Sequence, residues 1–151
     1  MRILHIGDFH FKSNGNSYEQ TLMVDKMVSS LILKEPIDFI FFSGDLVNSG
    51  SNYKDFDKAY EILLNRISKE LKIPYENVII CAGNHDINYE ECTNATVKYF
   101  DNDIDTNEKL NEEYSKKTKD FEISLNPSKN VNSFLSSLPN YRKDKVGKLH
   151  S

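Results

Sequence analysis

Three short polar stretches carry the side chains able to do chemistry: Gly7-Asp8-Phe9-His10, Gly44-Asp45-Leu46-Val47-Asn48 and Gly83-Asn84-His85-Asp86. A turn uses a glycine and tolerates an asparagine, but it has no need of an imidazole and a carboxylate in succession. Brought together, Asp8, His10, Asp45 and Asn84 offer two carboxylates, an imidazole and a side-chain amide. Two ionised carboxylates in one place repel, and one takes up a proton unless a cation stands between them. A divalent metal ion resolves that conflict. Oxygen and imidazole donors without thiolate suit manganese, iron(II) or zinc better than a structural, cysteine-rich zinc site. The plainer alternative is independent turn chemistry at three separate strand ends.

What could bring these residues together is visible upstream of each. Arg2 to Ile6, Asp38 to Ser43 and Asn77 to Ala82 are short apolar runs bounded by turn residues, the pattern of strands buried on both faces. Between the first two, Val24, Met27, Val28, Leu31 and Ile32 recur at helical spacing and stop near Pro36. Between the second and third, Phe56, Tyr60, Leu63, Leu64, Ile67 and Leu71 do the same before Pro74. Strand, helix, strand, helix, strand at these lengths admits crossover helices and favours a parallel sheet. All three strand C-termini then lie on one edge, where open α/β sheets bind ligands. The three polar stretches converge there despite roughly forty residues between them, a distance that βαβ units span.

Asp8-Phe9-His10, Gly44-Asp45-Leu46-Val47-Asn48 and Gly83-Asn84-His85-Asp86 resemble, in order and spacing, the first three motifs of the calcineurin-like metallophosphoesterases. The resemblance covers roughly the first hundred residues, and the opening MRILHIGDFH is most similar to the SbcD-like nuclease branch. It implies a two-sheet α/β sandwich of which this chain supplies the parallel-sheet half. It implies metal-dependent hydrolysis of a phosphate mono- or diester by two divalent ions about 3.5–4 Å apart. By the same resemblance Asp8 and His10 bind the first ion, Asp45 bridges both and Asn84 binds the second. His85 faces the substrate as proton donor or charge-stabilising contact, with Asp86 orienting its ring. A non-catalytic remnant, or an interaction module that keeps the scaffold, is the alternative from a different class.

One departure from the family pattern stands out. Complete members carry later Gly-His and Gly-His-x-His motifs, whereas the histidine that follows His85 here is His150, in GKLHS, without a preceding glycine. On that reading the 151 residues are the N-terminal portion of a larger phosphoesterase, and a missing half or a further domain is a partner. Residues 1–100 form the motif-bearing core. From 101 to 151 the chain turns polar, rich in Asn, Ser and Lys with scattered apolar residues from Phe121 to Leu138, and reads as a surface insertion with one or two short helices or the start of a further core segment.

The remaining features are read more plainly. His5, alternating with apolar neighbours, is a packed structural histidine rather than a ligand, and Asn48 either finishes a turn or supports the site from behind. Asp101, Asp103, Asp105 and Glu112 take positions of a calcium loop, but Thr106 replaces its turn glycine, so a solvated acidic loop is the preferred reading. Tyr99 and Phe100 either flank a substrate cleft or anchor the segment that follows. With 19 Lys+Arg against 23 Asp+Glu the chain has no overall basic footprint, so a nucleic-acid substrate stays open without support from net charge. Two cysteines, Cys81 and Cys92, are too few for a disulfide framework and fit a reducing, cytoplasmic setting. No segment has the apolar length of a membrane span or of a signal-peptide core.

Overall fold

The structure, a computed structural model, describes residues 1–13, 17–33, 36–92, 106–116 and 119–138. Three parallel strands, β1 (Ile3–Ile6), β2 (Phe39–Phe42) and β3 (Val78–Ile80), form one sheet in the order β1-β2-β3. The register pairs Ile3 with Phe39 and Ile40 with Val78. Helix α1 (Ser17–Ile32) makes the first crossover. The second is a longer helical rod: α2 (Tyr53–Tyr60), a π-helical turn (Glu61–Asn65) and α3 (Arg66–Glu70). Asn52 caps the start of that rod, its side chain accepting from the Lys54 amide, and Asp55 in the first turn suits the positive end of the helix. The turn buries the Asn65 side chain, which accepts from the Tyr75 hydroxyl at 2.8 Å and donates to Glu61.

Both crossovers step the same way across the sheet, and right-handed connections then place their helices on one face. Contacts between α1 and α3 agree. Leu4, Ile6, Ile40, Phe42, Val78 and Ile80 point into that layer, against Val24, Val28, Leu63, Leu64 and Ile67. The alternate residues do not. Ile3 is 54% exposed, Ile79 49%, and His5 and Cys81 are exposed as well. This corrects the expectation of strands buried on both faces: among the described residues, helices cover one face only, and the other shows apolar side chains to solvent. His5 sits on this outer face with its ring 5.4 Å from that of Phe41, so it is packed sideways rather than buried.

Of the two readings of the later segment, a surface insertion or the start of a further core segment, its last helix fits the second. Helices α4 (Asn107–Lys116), α5 (Lys119–Ser124) and α6 (Lys129–Ser137) are described within it. Helix α6 joins the main core through Val131 and Phe134, and Leu138 just past its end does the same. The Phe134 ring stacks on Phe56 at 5.4 Å and meets Tyr60 edge-on at 5.9 Å. Spacing of one apolar residue per turn was readable, but which face of α2 it would cover was not. Asp101, Asp103 and Asp105 of the calcium-loop alternative lie outside the described residues, as do Tyr99, Phe100 and His150. Glu112 is exposed and pairs with Lys116 one turn on, an ordinary helix-surface ion pair.

Candidate metal centre

Beyond the strand ends the chain does not splay apart at once. The amides of Asp8, His10 and Phe11 donate to the carbonyls of Gly44, Asp45 and Leu46, and the Asn48 amide donates back to Phe11. Phe11 and Val47 form a further parallel bridge. The first two loops are therefore laced together residue by residue, and this sets the height at which their polar side chains stand. The lacing costs backbone strain: Asp8, His10 and Asp45 all adopt positive φ, at 54°, 48° and 58°. Each such non-glycine residue costs on the order of 1 kcal/mol or more, and such outliers gather where geometry is held for function. Gly44 is required at φ 114°, because a Cβ there would come within 2.6 Å of the Gly83 backbone.

The second and third loops clasp each other through their carboxylates. Asp45 Oδ1 accepts from the His85 amide at 2.7 Å. In return the Asp86 carboxylate, 1% exposed, accepts from the amides of Gly83 at 2.9 Å, Asp45 at 3.0 Å and Val47 at 3.1 Å. Gly83 leaves room for this, since a side chain there would collide with the Asp45 carboxylate. Burial pushes the Asp86 carboxyl above its ordinary range; the three amide donors pull it back down, and the neighbouring Asp45 charge adds to the rise. Asp86 thus holds backbone. The His85 ring instead has its Nδ1 at 3.1 Å from the Asn48 carbonyl, so the expectation that Asp86 orients that ring gives way to Asn48, a backbone contact with no side-chain signature.

At the centre, donor atoms of His10, Asp45 and His85 lie within 4.8 Å of one another. His10 Nε2 stands 3.8 Å from Asp8 Oδ1 and 4.0 Å from Asp45 Oδ2, and its ring meets that of His85 edge-on at 4.5 Å between centroids. Separations of 3.8–4.0 Å are too long for hydrogen bonds. They are reachable by two ligands each about 2.0–2.2 Å from one ion. Carboxylate and imidazole donors at that spacing fit a divalent metal. Of the residues expected from sequence, His10 and Asp45 are therefore brought into one cluster. Asp8 flanks it with a side chain 81% exposed, and Asn84 is exposed in the same turn as His85, its carbonyl accepting from the Ile87 amide. His85 was expected to face substrate; its ring also lies within reach of the same ion.

The chain matches the sequence model of the calcineurin-like phosphoesterases over residues 1–147. It belongs to that family. The calcineurin-like assignment agrees with the mixed α/β architecture and the parallel three-stranded sheet. A similar curated protein is the "uncharacterized metallophosphoesterase-like protein YydB" of Bacillus subtilis (strain 168), 33% identical over 90 residues. That stretch is 58% of this chain and 18% of the relative, so the chain spans a minor part of the phosphoesterase-like protein it matches. No solved structure matches the chain. Among the described residues no helix is long and apolar enough to cross a membrane.

Proposed function

We propose that the protein hydrolyses phosphate mono- or diesters with two divalent metal ions, manganese, iron or zinc, held at the C-terminal edge of the sheet. The observation that supports this most is the meeting of the His10 and Asp45 donor atoms, with the His85 ring beside them and all within 4.8 Å, in a chain of the phosphoesterase family. In this reading Asp8 and His10 would hold one ion and Asn84 the other, with Asp45 contributing to both. When bound, such ions polarise a phosphoryl group, lower the pKa of water and offset the charge that develops on the attacking and leaving oxygens. These four residues are part of the donor set that two ions need.

The chain's own contribution is placement and proton transfer. With the proton on Nδ1, the His85 ring donates to the Asn48 carbonyl and leaves Nε2 free. Protonated there, it passes a proton to the leaving oxygen, a role for which an imidazole is suited near neutral pH. Asp86, by gathering three amides from two loops, holds Asp45 and His85 at fixed separation. The two free cysteines Cys81 and Cys92 fit a reducing cytoplasm. A second reading, a non-catalytic module that kept the scaffold, draws on the exposed apolar sheet face around Ile3 and Ile79.

Metal analysis beside hydrolysis of p-nitrophenyl phosphate and bis-p-nitrophenyl phosphate with added manganese tests the reading. The expected result is metal binding with slow, metal-dependent turnover. Asp45→Asn should lose both metal and turnover, while His85→Asn should lose roughly a hundredfold or more in turnover with metal largely retained. Metal loss in His85→Asn would move that ring from the substrate to the ions. Metal bound without any turnover would favour the non-catalytic module, and a wild-type chain that binds no metal would end the phosphoesterase reading.

A further inference from the structure

Outside the three motifs, one side chain directs three hydrogen bonds to a ligand-bearing loop. Gln20, in the first turn of α1, donates from Nε2 to the carbonyls of Phe9 at 3.2 Å and His10 at 3.3 Å. Its Oε1 accepts from the amide of Lys12 at 3.4 Å. The side-chain amide thus spans the turn from Phe9 to Lys12 and contacts the backbone on both sides of His10. That turn is where support is needed, because Asp8 and His10 both hold positive φ. The lacing to the second loop uses the amides of Asp8, His10 and Phe11 and the carbonyl of Phe11, and leaves the carbonyls of Phe9 and His10 to be satisfied from elsewhere. A helix is a stiffer support than a loop, and Gln20 belongs to a helix anchored in the core by Val24 and Val28.

We propose that Gln20 is a positioning residue for the candidate metal centre: by bridging the carbonyls of Phe9 and His10 and the amide of Lys12, it holds the strained turn that aims the His10 imidazole at Asp45. The inference rests on the metal-dependent reading above, and it concerns the ion that His10 contacts. Groups that orient metal ligands from behind influence affinity without touching the ion, and removing them typically weakens binding about 10–100-fold. Gln20 acts one step further back, through the backbone of the ligand rather than its ring, so the lower part of that range is expected.

Cobalt(II) titration of the metal-free protein, followed by its visible absorption spectrum and by thermal melting, tests this without any need for turnover. Gln20→Met keeps the length and helix preference but removes every hydrogen bond. It should bind cobalt roughly tenfold more weakly and shift the absorption bands, which report ligand geometry directly. Gln20→Glu keeps the acceptor for Lys12 but sets a carboxylate against two carbonyls, and should be at least as weak; it carries the test if Gln20→Met does not fold. Ser29→Ala, which removes a hydroxyl from the exposed side of the same helix, should leave affinity and spectrum unchanged. If the Gln20 variants match wild type within about twofold, with the same spectrum, the positioning role is overturned while the metal-centre reading stands. A fall in melting temperature with unaltered cobalt binding and spectrum overturns it likewise, as a purely structural residue behaves that way. A wild-type chain that binds no cobalt overturns both.

Discussion

The two faces of the sheet are built from the same few residue types and end in opposite environments. On one face Leu4, Ile6, Ile40, Phe42, Val78 and Ile80 pack beneath the crossover helices; on the other Ile3, His5, Phe41 and Ile79 are left half-buried or exposed among the described residues. The difference lies in topology rather than composition. Two successive crossovers of one hand deliver their helices to one side, and neither places a cover on the other. A strand three or four residues long, with an apolar side chain at nearly every position, is a strand prepared for two covers. The later helix α6 thickens the covered layer over α2.

The sharpest way to break this contrast is a pair of truncations. Phe42→Ala, at a fully buried position, should cost about 3–5 kcal/mol in denaturant unfolding, whereas Ile79→Ala should cost under about 1 kcal/mol. Equal costs would show that the outer face is covered in solution, by a second copy or by residues outside the described set. A smaller effect sharpens the account of the thickened layer. Phe134→Ala should lose about 3 kcal/mol, since the ring is buried against both Phe56 and Tyr60. A loss near zero would return α6 to the status of a surface attachment.

The smallest effect is electrostatic. Burial, then the neighbouring Tyr75 and Glu61, push the Tyr60 phenol up to about 12 from 10.0. Because the folded chain holds this proton more tightly than the unfolded chain, its contribution to stability is complete below pH 10.0 and is lost as pH rises through about 12. Ultraviolet titration should show a late-ionising step from Tyr60. In Phe134→Ala, which opens the ring to water, that step should move back toward 10.0; an unmoved step would mean that Phe134 does not desolvate Tyr60.

The elements were legible because their signals are local. Period and punctuation located the strands to within one or two residues of β1, β2 and β3, and the helical spacing up to Ile32 and from Phe56 to Leu71 marked both crossovers. The three glycine-led motifs could be placed at one edge from chain order alone, because parallel strands share a direction. Calcineurin-like membership was readable from the same residues and agrees with the match over residues 1–147.

What the sequence left open were matters of facing and of backbone contact. Whether a strand has one cover or two depends on where helices land, which no residue within the strand encodes. The same holds for α6, whose apolar residues announce a buried stripe but not its partner. In the site, the spacing of Asp45, His85 and Asp86 foretold proximity but not the crossed clasp in which each carboxylate binds the other loop's amides. Nor did it foretell that a carbonyl, that of Asn48, would meet the His85 ring. Main-chain donors and acceptors are the same at every residue, so only the tertiary path decides which of them a side chain finds. Side-chain chemistry is written in the sequence; the backbone geometry that aims it exists only once strands and loops have been laced together.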